Sequence, residues 1–180
     1  GVAETLQRAN GMFAFALWDR QTRTLTLGRD RFGQKPLYYG QVGAGVFGFA
    51  SELKAFQAHP GFKGVVNRGA LALFLRHNNV PAPYCIFDGL NKLPPGCTVT
   101  VQDTGTASGP APYWNVADAA HRAQSDSFTG NFDQAVEGLD DRLGTAVQDC
   151  MVSDAPLGAF LSGGIDSSTV VALMQAANTR

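Results

Sequence analysis

The sequence predicts an α+β layered sandwich built on antiparallel strands, followed by the start of an α/β domain built on a parallel sheet. Alternating, strand-like segments occupy much of residues 11–101. A helical period of about 3.6 residues begins at residue 132. A glycine loop at 162–168 then joins an apolar run to a second helical segment. Strand, loop and helix in this order open a nucleotide-binding parallel sheet.

The first predicted strand, residues 11–18, carries apolar side chains on both faces. Such a strand must be covered on both sides, because a half-exposed strand alternates apolar with polar residues. The polar residues 19–22 then predict a turn, and Leu25 and Leu27 alternate with threonines on a return strand. We expect the two strands to form a hairpin.

Short elements complete the first domain. They are a turn at 30–33, strands at 36–39 and 46–50, a turn at 94–96 and a strand at 97–101. Ser51 is predicted to cap one helix and Asn67 a second, which Pro81 and Pro83 prevent from continuing. For Arg29, Asp30 and Arg31 we expect a turn with a local ion pair rather than a functional site.

Changes in composition predict the domain boundaries. A loop containing Gly, Ser and Pro precedes residue 113, and polar residues continue to Gly130. We predict a first domain at 1–112, a linker at 113–130 and the beginning of a second domain at 131–180. The first helix of that second domain is expected to bury one apolar face, made of Val136, Leu139, Leu143, Val147 and Cys150.

Composition argues against several classes of function. Of the 180 residues 16% are charged, the formal net charge is -1 and no block of like charges occurs, so a nucleic-acid partner is not expected. No apolar run approaches the roughly 20 residues needed to cross a bilayer, so no membrane association is expected. The three cysteines form no disulfide framework, which favours a cytoplasmic location. The three histidines lack metal-ligand spacing.

The two ends of the sequence suggest a fragment. The chain begins at Gly1 without a methionine and runs almost directly into an apolar segment. It stops at Arg180 within a predicted helix, with no glycine or proline to end that helix. We expect the chain to be an internal piece of a longer protein.

The glycine loop carries the strongest functional signal. Adjacent glycines let the backbone turn tightly near a ligand, and the following helix directs unpaired N–H groups to the same point, so phosphate is the natural ligand. Asp166 is predicted to bind Mg²⁺, because a bare carboxylate would repel phosphate. The predicted residues for ATP and pyrophosphate are Leu161, Ser162, Gly163, Gly164, Asp166, Ser167 and Ser168.

Two common nucleotide loops do not fit these residues. The loop has no lysine, unlike the common P-loop, and it lacks the third glycine of a dinucleotide-binding fingerprint. The alternative interpretation is a simple strand-to-helix turn in which Ser162 and Asp166 only cap the helix.

The same residues resemble a known family. The loop Ser-Gly-Gly-Ile-Asp-Ser-Ser is similar to the pyrophosphate loop of the ATP pyrophosphatases, and its lead-in at 154–161 resembles that of glutamine-dependent asparagine synthetases. Residues 11–19, 29–39 and 50–55 resemble the later part of that family's glutaminase domain. The resemblance covers almost the whole chain, in the family's order.

The resemblance implies both fold and activity. It implies an αββα sandwich of the N-terminal-nucleophile hydrolase type, here incomplete, and then the start of an ATP-pyrophosphatase domain. In the parent enzyme it implies glutamine, aspartate and ATP as substrates, with a β-aspartyl adenylate that ammonia converts to asparagine; the products also include AMP and pyrophosphate. It also allows a homodimer.

Part of the family's machinery is absent from this sequence. The family's nucleophile is a cysteine that becomes the first residue, and Gly1 is not that cysteine. We therefore assign no catalytic residue here, and we expect Cys85, Cys97 and Cys150 to be small buried or loop side chains. Two alternatives stay open: a related ligase acting on another carboxylate, such as a β-lactam precursor, or an inactive piece that only binds nucleotide or a partner.

Overall fold

A computed structural model describes residues 1–178 of the chain. The first compact unit is Gly1–His121 and the second begins at Arg122. The strands are β1 Ala14–Asp19, β2 Thr24–Arg29, β3 Tyr38–Gly43, β4 Val46–Ala50, β5 Leu90–Lys92, β6 Cys97–Gln102 and β7 Ala111–Pro112. The helices are α1 Val2–Arg8, α2 Leu53–Gln57, α3 Arg68–His77, α4 Val116–Ser125, α5 Phe132–Cys150 and α6 Ile165–Ala177.

Antiparallel strands build the first unit, as predicted. One sheet has the order β1-β2-β6-β7 and the other has the order β4-β3-β5. The predicted hairpin is β1 with β2, in which Phe15 pairs with Gly28. A Cβ atom on Gly28 would lie 2.2 Å from Phe15 Cε1, so the aromatic ring would have to move if residue 28 carried a side chain. The α+β class with antiparallel sheets is therefore confirmed.

The main core joins the two sheets. Its fully or nearly fully buried members are Leu27, Leu37, Tyr39, Leu93, Cys97, Val99 and Val101. Each large apolar side chain removed from water stabilises the fold by about 1.5–3 kcal/mol. Alternate positions of β6 supply three of these side chains, because side chains point to one face of a strand at every second residue.

The prediction that β1 is covered on both faces is wrong for the described residues. β1 lies at the edge of its sheet, and Leu17 and Trp18 are 48% and 47% exposed. Strand β2 forms hydrogen bonds with one edge of β1, and no described strand pairs with the other edge of β1. The apolar pattern therefore remains partly in contact with water.

Several local predictions differ from the structure. The predicted strand at 36–39 starts later, as β3, and α1 was not predicted. Ser51 does not cap α2, whose N-cap is Glu52 without a side-chain hydrogen bond. Asn67 does cap α3, because its side chain accepts a hydrogen bond from the amide of Ala70 at 2.9 Å. The predicted linker contains α4.

The second unit buries few side chains. Asn131 and Gln134 form a capping box at the start of α5, and Val147, at 8% exposure, is the one buried apolar side chain among described residues after His121. Most of the predicted apolar face of α5 is exposed, since Val136 is 49% and Leu139 64% exposed, whereas Leu143 is partly buried. Within residues 1–178 no helix has the length and apolar character needed to span a membrane.

The apolar strand predicted at 157–161 is absent. These residues have no regular secondary structure, and Phe160 is fully exposed. A strand needs a hydrogen-bonded neighbour, and no described segment pairs with this one. The predicted loop and the helix α6 that follows it are both present.

Candidate functional site

One residue near the start of the glycine loop has a backbone conformation that favours glycine. Gly163 has a φ of +80°, in the left-handed region. Gly164 is the N-cap of α6, and its carbonyl accepts the first helical hydrogen bond from the amide of Ser168 at 3.1 Å. The amides of Ile165, Asp166 and Ser167 come before that bond, so they have no partner within the helix. These donors and the helix dipole favour an anion at this end of α6.

Two serine side chains form hydrogen bonds within the glycine loop. The Oγ atoms of Ser162 and Ser167 lie 2.8 Å apart, and Ser167 Oγ also lies 3.1 Å from the carbonyl oxygen of Gly164, to which it donates. The amide of Gly164 donates to Ser162 Oγ at 3.4 Å. The structure therefore brings together Ser162, Gly164 and Ser167, and their mutual hydrogen bonds define the shape of the loop.

The other predicted site residues lie nearby without joining this network. Asp166 is exposed in the first turn of α6 and forms no hydrogen bond or ion pair with the described residues. Ser168 is exposed, and Leu161 is 63% exposed. Helix α6 has no side-chain hydrogen bond at its N-cap. Ser162 and Asp166 therefore do not act as conventional helix caps in this structure.

A cavity in the second unit is separate from the glycine loop. It has a volume of about 780 Å³ and is lined by residues between Met151 and Ala159 and by the later part of α6, from Val171 to Asn178. None of residues 162–168 lines it. Asp154 is its one ionisable lining residue, and a carboxylate repels phosphate, so we do not assign the phosphate chemistry to this cavity.

Asp30 in the first unit has a larger structural role than the sequence indicated. Its carboxylate is 1% exposed and accepts hydrogen bonds from four backbone amides. The donors are Phe13, Phe32, Gln34 and Lys35, at 2.9–3.3 Å. The carboxylate thus ties the loop after β2 to the segment before β1, and it stays buried because backbone donors satisfy it.

The predicted local ion pair is wrong for Arg29. Its guanidinium donates to the carbonyl oxygens of Lys35, Leu93 and Gly33, at 2.8, 2.6 and 2.5 Å. None of the ion pairs among residues 1–178 includes Arg29 or Asp30. Burial lowers the pKa of Arg29 from its usual value, although the charge of Asp30 acts in the opposite direction. In the sequence, the only indication of these backbone hydrogen bonds was the pair Arg29-Asp30 at the end of β2.

The cysteines and histidines form no metal-binding group among the described residues. Cys85 and Cys97 are buried, and burial raises the pKa of each thiol. Cys150 is exposed at the end of α5. No group of three or more His, Cys, Asp or Glu side chains is placed to hold a metal in the part of the chain that the structure describes.

Two family models match consecutive parts of the chain. The glutamine amidotransferase domain matches residues 1–114, and asparagine synthase matches residues 138–180. The first match covers more than half of the chain. The second contains the whole glycine loop.

Curated relatives match the chain over almost its full length. A Bacillus subtilis protein named asparagine synthetase [glutamine-hydrolyzing] 3 is 36% identical over 171 residues, which are 94% of this chain and 26% of the relative. A Mycobacterium bovis putative asparagine synthetase [glutamine-hydrolyzing] is 37% identical over 98% of this chain and 27% of its own length. Amidase chyE of Penicillium rubens is 30% identical over 172 residues, which are 94% of this chain and 24% of the relative. The chain thus spans about a quarter of the length of these relatives.

Proposed function

The chain belongs to the glutamine amidotransferase domain family, and on that premise we propose that it is an internal part of a glutamine-hydrolysing asparagine synthetase. In this proposal the whole enzyme releases ammonia from glutamine and uses ATP to activate aspartate as a β-aspartyl adenylate. Ammonia then displaces AMP to form asparagine. The enzyme is therefore a carbon–nitrogen ligase, and the 180 residues alone are inactive.

The observation that carries this proposal is the order of two features in one chain. A glutamine amidotransferase match over residues 1–114 is followed by a glycine loop at a helix N-terminus inside the asparagine synthase match. The matches to relatives named asparagine synthetase cover 94% and 98% of the chain, so both features lie within one relative. We propose the boundaries 1–112, 113–130 and 131–180 for the two domains and their linker, with the first part belonging to an αββα sandwich and the last to a parallel-sheet ATP-pyrophosphatase domain.

We assign the pyrophosphate part of ATP to the glycine loop. The free amides at the start of α6 and the hydroxyl of Ser168 supply donors, and Leu161 leads into the loop. The hydroxyls of Ser162 and Ser167 join them when phosphate replaces the hydrogen bonds that they make with each other and with Gly164. Hydrogen bonds to a charged group contribute about 1.5–3 kcal/mol each, against roughly 0.3–1 kcal/mol for the helix dipole. The donors therefore determine most of the affinity. Adenylate formation needs the pyrophosphate held still while the acceptor carboxylate attacks the α-phosphorus.

Asp166 fits the role of a Mg²⁺ ligand. Its carboxylate is exposed beside the loop and has no internal partner that would have to be displaced. Mg²⁺ in nucleotide sites is held by one or two carboxylates and by phosphate oxygens, so a single carboxylate is sufficient. When bound there, the ion would neutralise negative charge on the phosphates. Asp166 would otherwise repel them.

A second candidate differs only in the acceptor. It is a related amide-forming enzyme that acts on a carboxylate other than aspartate, such as a β-lactam precursor; one relative at 30% identity carries a different name, Amidase chyE. An inactive piece that binds only nucleotide, or packs against a partner, is the alternative from a different class. A homodimer and a cytoplasmic location complete the proposal.

The test is made on the full-length protein in which this chain occurs. We expect asparagine and AMP to form in equal amounts when aspartate, ATP, Mg²⁺ and glutamine are supplied, as measured by mass spectrometry. Replacing aspartate by glutamate is the control for the acceptor. Formation of an amide only from another carboxylate would favour the second candidate, and glutamine hydrolysis without any AMP would contradict the ligase function.

A further inference from the structure

A cavity of about 480 Å³ lies in the first unit, against helices α2 and α3 and strands β3 and β5. Most of its wall is apolar, from side chains that include Leu53, Leu71 and Phe74. Its polar lining includes Lys92 at the end of β5. This volume is within the range of about 300–1,000 Å³ that is typical of small-molecule sites. The cavity shares no residue with the glycine loop.

Lys92 is a partly buried cation without a carboxylate partner. Its Nζ atom donates to the carbonyl oxygen of Val80 at 2.5 Å and lies 5.6 Å from the centroid of the Tyr38 ring. None of the ion pairs among the described residues includes Lys92. Burial lowers its pKa, and the charge of Arg29 acts in the same direction. A partly desolvated ammonium of this kind gains from a bound anion, because buried charges are stable when they are paired.

The surroundings of Lys92 are ordered before any ligand binds. Tyr38 and Lys92 pair directly across β3 and β5, so both side chains lie on the same face of the sheet. The backbone amide of Lys92 donates to the carbonyl of Pro83 at 2.9 Å, and its ammonium holds Val80 in the same loop. An ammonium has three donors, of which Val80 takes one. The other two are available to a ligand in the cavity.

We propose that this cavity binds a small organic carboxylate with an apolar body, whose carboxylate pairs with Lys92 while the body contacts Leu53, Leu71 and Phe74. Charge complementarity between Lys92 and a carboxylate favours a small acid as the occupant of the cavity. An apolar face made only for a helix or a second copy of the chain needs no cation in its wall, whereas a compact acid satisfies both features. This site is independent of the proposed asparagine synthetase function.

The test uses isothermal titration of the full-length protein with 4-phenylbutyrate as probe and 4-phenylbutanol as its neutral analogue. We expect the acid to bind at least ~10-fold more tightly than the alcohol, since a hydrogen bond to a charged group is worth a factor of this size. Lys92→Met should remove that preference and leave the alcohol unaffected. Lys92→Arg should retain it, and Lys63→Met, at an exposed lysine, should change nothing.

A second variant keeps the proposal testable if Lys92→Met does not fold. Phe74 is 45% exposed at the rim of the cavity, so Phe74→Ala should preserve folding but weaken both probes. Equal affinity for acid and alcohol, or no saturable binding of either to the folded protein, would overturn the proposal. So would a concentration-dependent dimer that Phe74→Asp dissociates, since a second copy would then be the occupant.

Discussion

The hydroxyl oxygens of Ser162 and Ser167 lie 2.8 Å apart, so two side chains from opposite ends of the glycine turn are in direct contact. Between them, Gly163 takes the left-handed conformation and Gly164 opens α6. The turn is therefore shaped by its own side chains before any phosphate arrives. Preorganisation of this kind reduces the entropy that ligand binding must overcome.

Replacing Gly163 by alanine should impair the loop without creating a clash. Nothing lies within 4 Å of a Cβ atom at this position, but the φ of +80° is strained for any L side chain, by about 1–2 kcal/mol. We expect ATP–pyrophosphate exchange in the full-length protein to fall by at least ~10-fold. The matched control is Gly158→Ala, which also has open space and no left-handed φ. Equal exchange in both variants would show that the turn geometry is unimportant.

Asp30→Asn should destabilise the first unit. The carboxylate accepts four backbone amides, whereas an asparagine side chain presents an NH₂ group to some of those donors. Leaving buried donors unpaired costs about 1–3 kcal/mol for each group, so we expect a loss of roughly 2–4 kcal/mol. Differential scanning calorimetry of the full-length protein measures the effect as a lower Tm.

Asp103→Asn is the control for this change. Asp103 forms an exposed ion pair with Arg23 at 2.9 Å, and such pairs contribute about 0–1 kcal/mol. We expect a melting temperature close to that of the unaltered protein. A comparable loss in the two variants would contradict the role assigned to Asp30.

Local patterns predicted the elements whose partners lie close in sequence. Alternation in β2 and β6 and the cap at Asn67 were readable because each depends on a few neighbouring residues. The role of Asp30 was not readable, since one of its donors, Phe13, lies 17 residues away and burial depends on the tertiary fold. The strand at 157–161 was predicted from its apolar character alone, but a strand also needs a neighbour. The loop sequence predicted the turn, and the structure added the contact between its serines.

The 180-residue chain expressed alone should be poorly soluble or only partly folded. Leu17 and Trp18 are about half exposed, and Val147 is the one buried apolar side chain in the described part of the second unit. Hydrogen exchange should therefore show slow amides in β2 and β6 but rapid exchange in α5 and α6. Strong protection of both helices, with one sharp thermal transition in a monomer, would contradict this expectation.

The same chain should release no ammonia from glutamine. Cys85 and Cys97 are buried with raised thiol pKa values, which suppress the reactive thiolate, and Cys150 lies inside the chain, where no N-terminal amine can serve it as base. A coupled glutamate dehydrogenase assay measures ammonia directly. Activity well above a blank that survives replacement of all three cysteines by alanine would overturn the assignment of no catalytic residue.

We propose that the glycine loop holds the pyrophosphate of ATP with a metal ion at Asp166, and Asp166→Asn in the full-length protein is the sharpest test of this role. Asparagine keeps the shape but removes the charge that offsets the cation. We predict that aspartate-dependent ATP–pyrophosphate exchange falls by about 10²-fold, or on the order of 3 kcal/mol, while glutamine hydrolysis and the melting temperature change little. Near-normal exchange in this variant would contradict the account and would leave the serines and glycines to bind phosphate without the carboxylate.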